Sequence, residues 1–229
     1  MKVEGVYNMA QVMKCALLDF FTLKSELKLR QLITIGLFTF LGFHNVGVYG
    51  IGLGFMPLVT LFVAHPFSMG GDGLDALYAA LSIPRKTVVM GRYVFLVGLV
   101  ILSTALYMAV AFILSTALGA EANMLLVLAI LGMAAVVAIF TSAFSIPFLF
   151  RVGFKQGKTM ATMIPTFLML GAFMLANFQL DTDVYGIETL PTSPDVFPGG
   201  MIIIAIVGLC LVVCLSYVMS AKFYLKRDF

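Results

Sequence analysis

The chain has 229 residues, of which 62% are hydrophobic and only 11% are charged. Ordinary soluble domains carry about 25% charged residues, so the composition excludes a water-soluble domain and predicts a membrane protein. The net charge of +3 is too small to indicate nucleic-acid binding, and the 3 cysteines do not make a disulfide framework. Because one membrane span needs about 20 apolar residues, the chain has room for about six spans with their loops.

The N-terminal arm, residues 1–30, is predicted to contain an amphipathic helix that lies in the membrane interface. The apolar face of this helix recurs at steps of three and four along the sequence, at Val12, Cys15, Ala16, Asp19, Phe20 and Leu23. The alternative is a soluble extension of the first span. We expect no cleavable signal peptide, because the first long apolar run begins after residue 30.

Six apolar segments that could cross a membrane are predicted at about residues 31–47, 50–66, 93–118, 124–150, 159–178 and 201–221. A tight turn joins the first two segments, and an acidic outer loop with 3 prolines, residues 179–200, precedes the last. The glycine string Gly50-Ile51-Gly52-Leu53-Gly54 lacks the strand and final spacing of a nucleotide-binding loop. It predicts close helix packing through small residues.

The charges are segregated between the two sides of this arrangement. All 14 Lys and Arg lie in the arm, the loop 67–92, the loop after the fourth span or the C-terminal tail, and the other loops carry only acidic charges. The positive-inside rule therefore places both termini in the cytoplasm. We predict an all-α polytopic protein, in which residues 1–229 form a single transmembrane domain of six helices.

Several kinds of chemistry are disfavoured by what the predicted spans lack. They contain no Asp, Glu, Lys or Arg, which disfavours an ion-coupled carrier. His44 and His65 have no carboxylate at metal-ligand spacing, so no metal site is expected. No Ser or Thr stands beside an evident base, so no catalytic residue is assigned. Since the sequence has no phosphate-binding loop, we expect no cofactor in this chain, and any ATPase would be another polypeptide.

The polar segment between the second and third spans is the strongest positive feature. Asp72 and Asp75 suit the first turn of a short helix, where carboxylates offset the helix dipole. An apolar face at helical spacing follows, made of Leu74, Leu77, Tyr78 and Leu81. Pro84 ends this helix, and Arg85 and Lys86 follow at the turn before a second helix. Such a segment fits docking to a cytoplasmic partner, and the alternative is a surface loop that meets lipid headgroups.

This segment resembles the first cytoplasmic loop of ABC-2 type permeases, in particular a small six-span bacterial group. That loop reads approximately D-x-x-x-x-L-P-[VI]-[SP]-R-K-x-[IV]-[VL]-x-x-[KR]-Y. Most of it is matched by Leu81-Ser82-Ile83-Pro84-Arg85-Lys86-Thr87-Val88-Val89, and its end by Arg92-Tyr93. Ser82 departs from the pattern, because it stands at the usual proline position. The segments Leu17-Leu18-Asp19-Phe20 and Ser220 to Phe229 are similar to the same group.

The resemblance implies the membrane half of an ABC transporter. Two permease subunits, as a homodimer or a heterodimer, would pair in the lipid bilayer of the cytoplasmic (inner) membrane. Each would engage a cytoplasmic ABC ATPase subunit that binds ATP and Mg. The loop after span two would form a coupling helix on that ATPase. By position, the coupling residues would be Asp72, Asp75, Leu81, Ser82, Ile83, Pro84, Arg85 and Lys86. A secondary cytoplasmic contact would be made by Arg151, Lys155 and Lys158.

We therefore predict a permease subunit of an ATP-driven exporter, because the family it resembles is predominantly an exporting one. Uncharged spans rich in Phe and Met suit an apolar or amphipathic substrate, such as a peptide, a lipid-like molecule or a drug. The same residues would equally serve to face lipid or to pack helices. The alternative function is an accessory or regulatory membrane subunit that binds a partner without transporting. An intramembrane enzyme is the least favoured function, because the sequence shows no nucleophile with a base beside it.

Overall fold

The computed structural model describes residues 9–25, 29–69, 78, 82–118, 123–152 and 199–225. These residues are almost entirely helical, and no strand occurs among them. The all-α prediction is confirmed over these ranges. The predicted fifth span, 159–178, and all but the end of the outer loop 179–200 lie outside the described residues.

Helix α1, Met9–Ser25, forms within the predicted arm. It buries one face, made of Val12, Cys15, Ala16, Asp19 and Leu23. This face is the periodic stripe that the sequence predicts, apart from Phe20, which is partly exposed and makes an edge contact with Phe95. A second stripe of apolar side chains on α1 is exposed, at Met9, Met13, Leu17 and Phe21. Helix α1 therefore has one mostly apolar face against the protein and an apolar stripe outside it.

Helix α2, Leu29–Val46, and the 3-10 helix Gly47–Gly54 fold back on one another. The reversal occurs at Gly47, whose φ of +65° is a left-handed conformation that favours glycine. The two segments then approach so closely that a Cβ on Gly50 would overlap the carbonyl of Gly42. The prediction that this glycine string serves close packing is confirmed. Helix α3, Phe55–Met69, continues from the 3-10 helix.

Helix α4, Arg85–Leu118, is the central element and contacts α1, α3 and two helices later in the chain. Helix α5, Met124–Val152, begins after Asn123, whose side-chain oxygen accepts a hydrogen bond from the backbone N–H of Leu125 at 3.0 Å. This is an N-cap, which satisfies a helix donor that has no partner within the helix. Helix α6, Gly199–Leu225, packs on α4 and α5.

Hydroxyl groups join the three long helices inside the bundle. The Tyr93 hydroxyl on α4 shares hydrogen bonds with the hydroxyls of Ser216 and Ser220 on α6, the latter at 3.0 Å. Ser216 also donates to the carbonyl of Ala143 on α5. The outward face of α6 is instead apolar, with Leu211, Leu215, Val218 and Met219 exposed. Apolar side chains outside and hydroxyls inside suit a helix that packs in lipid, where interhelical hydrogen bonds hold helices together.

Within the described ranges, 4 helical stretches are long and apolar enough to cross a membrane. They are Gly47–Phe67, Arg85–Leu118, Met124–Arg151 and Val207–Leu225. A shorter apolar helix, Leu32–His44, lies within the predicted first span. Each of the predicted spans that falls in described residues therefore coincides with an apolar helix.

Candidate functional site

Five of the predicted coupling residues are described, and they lie just before α4 and in its first turn. Asp72, Asp75 and Leu81 lie outside the described residues. Tyr78 is helical and buried, with 3% of its surface exposed. Residues 82–86, which we call the exposed turn, follow as a turn and the first residues of α4. Ser82, Pro84 and Lys86 are exposed there, whereas Ile83 is half-buried against the core.

The exposed turn is closed by backbone hydrogen bonds. The N–H of Ile83 donates to the carbonyl of Tyr78 at 3.1 Å, the spacing by which a Schellman motif ends a helix. Ser82 has a φ of +51°, the left-handed conformation that this motif requires. The Pro84 carbonyl then accepts from the N–H of Thr87 at 2.9 Å and begins α4. Proline cannot adopt a positive φ, so the departure at Ser82 from the ABC-2 loop pattern has a geometric reason.

Replacing Ser82 with glycine is expected to raise the stability of the chain by about 1 kcal/mol, because glycine adopts a positive φ without steric cost. Ser82→Pro is expected to lower it by about 2 kcal/mol, since its ring forces the backbone out of this conformation. Thermal unfolding of both variants in detergent would measure the two shifts. Opposite signs are the expected result, and equal shifts would contradict a left-handed residue 82.

Arg85 and Lys86 point to different surroundings, although they are neighbours in the sequence. The Arg85 guanidinium Nη1 donates to the carbonyl of Leu225 at 3.0 Å and to that of Tyr224 at 3.4 Å. Arginine at this place offsets the negative end of the α6 dipole. Lys86 is exposed one residue later. Arg85 therefore ties the exposed turn to the end of α6, while Lys86 remains accessible to a partner.

A buried charge pair lies behind the exposed turn. Nε of Arg92 on α4 is 3.2 Å from Oδ2 of Asp19 on α1, and the two side chains are 3% and 1% exposed. The Tyr78 hydroxyl donates to Oδ1 of the same carboxylate at 3.3 Å. We call Asp19, Arg92 and Tyr78 the charge clamp. The charge clamp joins α1 and α4 to Tyr78.

The surroundings of the charge clamp keep the Tyr78 hydroxyl protonated and hold the Arg92 guanidinium in place. Burial, followed by the charge of Asp19, raises the pKa of the Tyr78 hydroxyl, so this group stays protonated and donates at physiological pH. Burial also raises the pKa of the Cys15 thiol, which lies one turn away on α1. The Arg92 guanidinium lies 4.6 Å from the centre of the Phe67 ring on α3. Such a cation–π contact compensates part of the lost hydration of a buried arginine.

Aromatic rings extend this contact to the remaining helices. The Phe67 ring on α3 lies edge-on to that of Phe150 on α5, with centroids 4.8 Å apart. Phe150 in turn contacts the Tyr224 ring on α6, at 5.0 Å. Tyr224 is the residue whose carbonyl accepts from Arg85. The charge clamp and the exposed turn therefore connect with α1, α3, α4, α5 and α6 through direct side-chain contacts.

The charge clamp is the arrangement that the sequence interpretation missed. The sequence pattern puts Asp19 on the apolar face of the predicted arm helix and Arg92 at the end of the loop motif, and it does not pair the two residues. A carboxylate in the middle of an apolar stripe is the signal that could have found it, because a buried charge needs a partner.

The secondary basic contact is described only in part. Arg151 is exposed near the end of α5, and its guanidinium lies 5.5 Å from the centre of the Phe223 ring on α6. Lys155 and Lys158 lie outside the described residues. In the part of the chain that the structure covers, no three His, Cys, Asp or Glu side chains could hold a metal ion together.

Comparison with known proteins identifies the family. The family described as "ABC-2 family transporter protein" matches residues 16–225, a range that includes most of α1, the charge clamp, the exposed turn and α6. No curated protein and no solved structure matches the chain significantly. The match covers nearly the whole sequence and agrees with the apolar helices described above. The chain therefore belongs to the ABC-2 family of transporter membrane proteins.

Proposed function

We propose that this chain is the membrane-spanning permease subunit of an ATP-driven exporter. A separate cytoplasmic ABC ATPase subunit, which binds ATP and Mg, would dock on the segment 67–92. Two permease subunits would pair in the cytoplasmic membrane. Membership of the ABC-2 family supports the permease assignment, and the distribution of Lys and Arg supports six spans with both termini in the cytoplasm.

The observation that carries the proposal is the continuity between the exposed turn and α4. Helix α4 begins at Arg85 and has 34 residues, so it is about 50 Å long. This exceeds the hydrocarbon thickness of about 30 Å, so the first turns of α4 would extend beyond the bilayer. A protein bound at the exposed turn would therefore act directly on the end of a rigid helix that crosses the membrane.

The direction and the substrate belong to the same proposal. Export of an apolar or amphipathic molecule, such as a peptide, a lipid-like compound or a drug, is supported by the apolar character of the helices. The alternative is an accessory or regulatory membrane subunit, which would bind the same partner without moving a substrate.

Efflux of a fluorescent amphipathic peptide distinguishes these two functions. Cells that produce the permease with its ATPase are expected to accumulate less peptide than cells in which the ATPase cannot hydrolyse ATP. Accumulation would be measured by flow cytometry. Equal accumulation, together with a stable complex of the two subunits, would favour the accessory function over the exporter.

Lys86→Glu is expected to weaken association with the ATPase about tenfold, because a reversed charge at an interface costs on the order of 1.4 kcal/mol or more. Co-purification in detergent with a candidate ABC ATPase from the same genome would measure it. Lys14→Glu is the charge-matched control, since Lys14 is exposed on α1. Arg85→Glu would be less specific, because it also removes the hydrogen bonds to the end of α6. Equal binding by the Lys86 variant and wild type would place the docking surface elsewhere.

A further inference from the structure

The charge clamp unites parts of the chain that are far apart in the sequence. Asp19 comes from α1, Tyr78 from the segment before the exposed turn, and Arg92 from α4, two turns after the exposed turn. Gly91 permits this arrangement, because a Cβ there would lie 2.8 Å from the Cβ of Cys15 on α1. The two helices thus touch at the level of the clamp.

The charge clamp fixes the relative positions of the three segments more than it stabilises the folded chain. Burying two opposite charges costs about as much desolvation free energy as their attraction returns, and an apolar pair of similar volume often packs as well. An ion pair and a hydrogen bond on one carboxylate, however, fix the positions of three segments together. Apolar side chains would allow these segments to slide past one another.

The exposed turn is consequently held on two sides. On one side, the Tyr78 hydroxyl binds Asp19, and through it Arg92 and the Phe67 ring. On the other side, Arg85 binds the carbonyls at the end of α6. A displacement of the exposed turn would therefore act on α1, α3 and α4 through the clamp, and on α6 through Arg85.

We propose that Asp19, Arg92 and Tyr78 are positioning residues for energy coupling, which make α1 and α4 move with the exposed turn when the ATPase subunits close. The proposal rests on the function proposed above. It differs from the docking role of the exposed turn, because the clamp is buried and cannot touch the ATPase. Loss of the clamp should leave docking intact and reduce the movement of α1.

Hydrogen–deuterium exchange of α1 in the complex with the ATPase provides the test. The complex would be compared without nucleotide and after trapping with ATP and vanadate. In the wild type, we expect trapping to change the exchange of both the exposed turn and α1. In Asp19→Asn, the change at the exposed turn should persist, and the change at α1 should fall about fivefold or more, the range of typical couplings between sites. Tyr78→Phe keeps the ion pair and should show a smaller fall at α1.

Tyr107→Phe is the matched control, because it also removes one tyrosine hydroxyl that is hydrogen-bonded within the bundle, to Thr39 at 3.1 Å. It should respond as wild type does. If Asp19→Asn fails to fold, the double variant Asp19→Leu with Arg92→Met decides the matter, since it removes both charges together. An α1 response in the double variant equal to that of the wild type would overturn the coupling role alone. If the wild type binds no ATPase, the proposed function falls, and this inference falls with it.

Discussion

Replacing Arg92 with methionine is expected to destabilise the folded chain by about 3–5 kcal/mol, the cost of leaving one partner of a buried ion pair uncompensated. Asp19 is only 1% exposed, so water cannot replace the guanidinium without opening the contact between α1 and α4. The Tyr78 hydroxyl would remain as a donor, but it carries no compensating charge. Thermal unfolding in detergent should show a fall in Tm on the order of 10 °C.

Two variants show whether this effect comes from the unpaired charge. The double variant Asp19→Leu with Arg92→Met removes both charges and should recover most of the lost stability. Arg151→Met is the matched control, because Arg151 is exposed and its guanidinium also lies near a ring, that of Phe223. It should change the free energy of unfolding by less than about 1 kcal/mol. A double variant as unstable as Arg92→Met would mean that packing, not charge, explains the loss.

The same double variant separates stability from coupling. It would restore the packing of α1 on α4 but not the ion pair or the hydrogen bond from Tyr78. If the clamp acts by fixing the relative positions of α1, Tyr78 and α4, the double variant should be stable. Its α1 should nevertheless not respond when the ATPase subunits close. Stability and coupling would then depend on different properties of the same three residues.

Local sequence patterns predict α1 well, because apolar residues at helical spacing indicate directly which face of the helix is buried. Four of the buried residues on this face are apolar, and their spacing of three and four residues is that of a helix. The partner of Asp19 could not be predicted in the same way. Arg92 is far away in the sequence, and only the packing of α1 on α4 brings it close.

The side-chain contacts of the exposed turn likewise could not be predicted from local sequence patterns. Pro84 was predicted to separate two helices, and the structure starts α4 directly after it. The sequence offered Arg85 and Lys86 as equivalent contacts, yet Arg85 is engaged by α6 while Lys86 is exposed. The direction of each side chain depends on a helix that lies more than a hundred residues later, so it could not be read from the local motif.

Gly50→Ala is expected to destabilise the chain by about 3 kcal/mol, at the upper end of the cost of overpacking. The added Cβ would overlap the carbonyl of Gly42, a backbone atom that no side-chain rotation can move away. The turn at Gly47 and the contact of the 3-10 helix with α2 would have to open together. Protease sensitivity and thermal unfolding in detergent would both report the opening.

Two other glycines distinguish this clash from the loss of glycine itself. An alanine Cβ at position 52, in the same 3-10 helix, would make only an ordinary contact of 3.5 Å with Ile130 Cγ2, so Gly52→Ala should have little effect. Gly36→Ala, on α2 with nothing within 4 Å of the new Cβ, should stabilise the helix by up to about 1 kcal/mol. The order of stability should therefore be Gly36→Ala, Gly52→Ala and Gly50→Ala. If Gly50→Ala were as stable as Gly52→Ala, α2 and the 3-10 helix would not be in backbone contact, and the first two predicted spans would pack in another way.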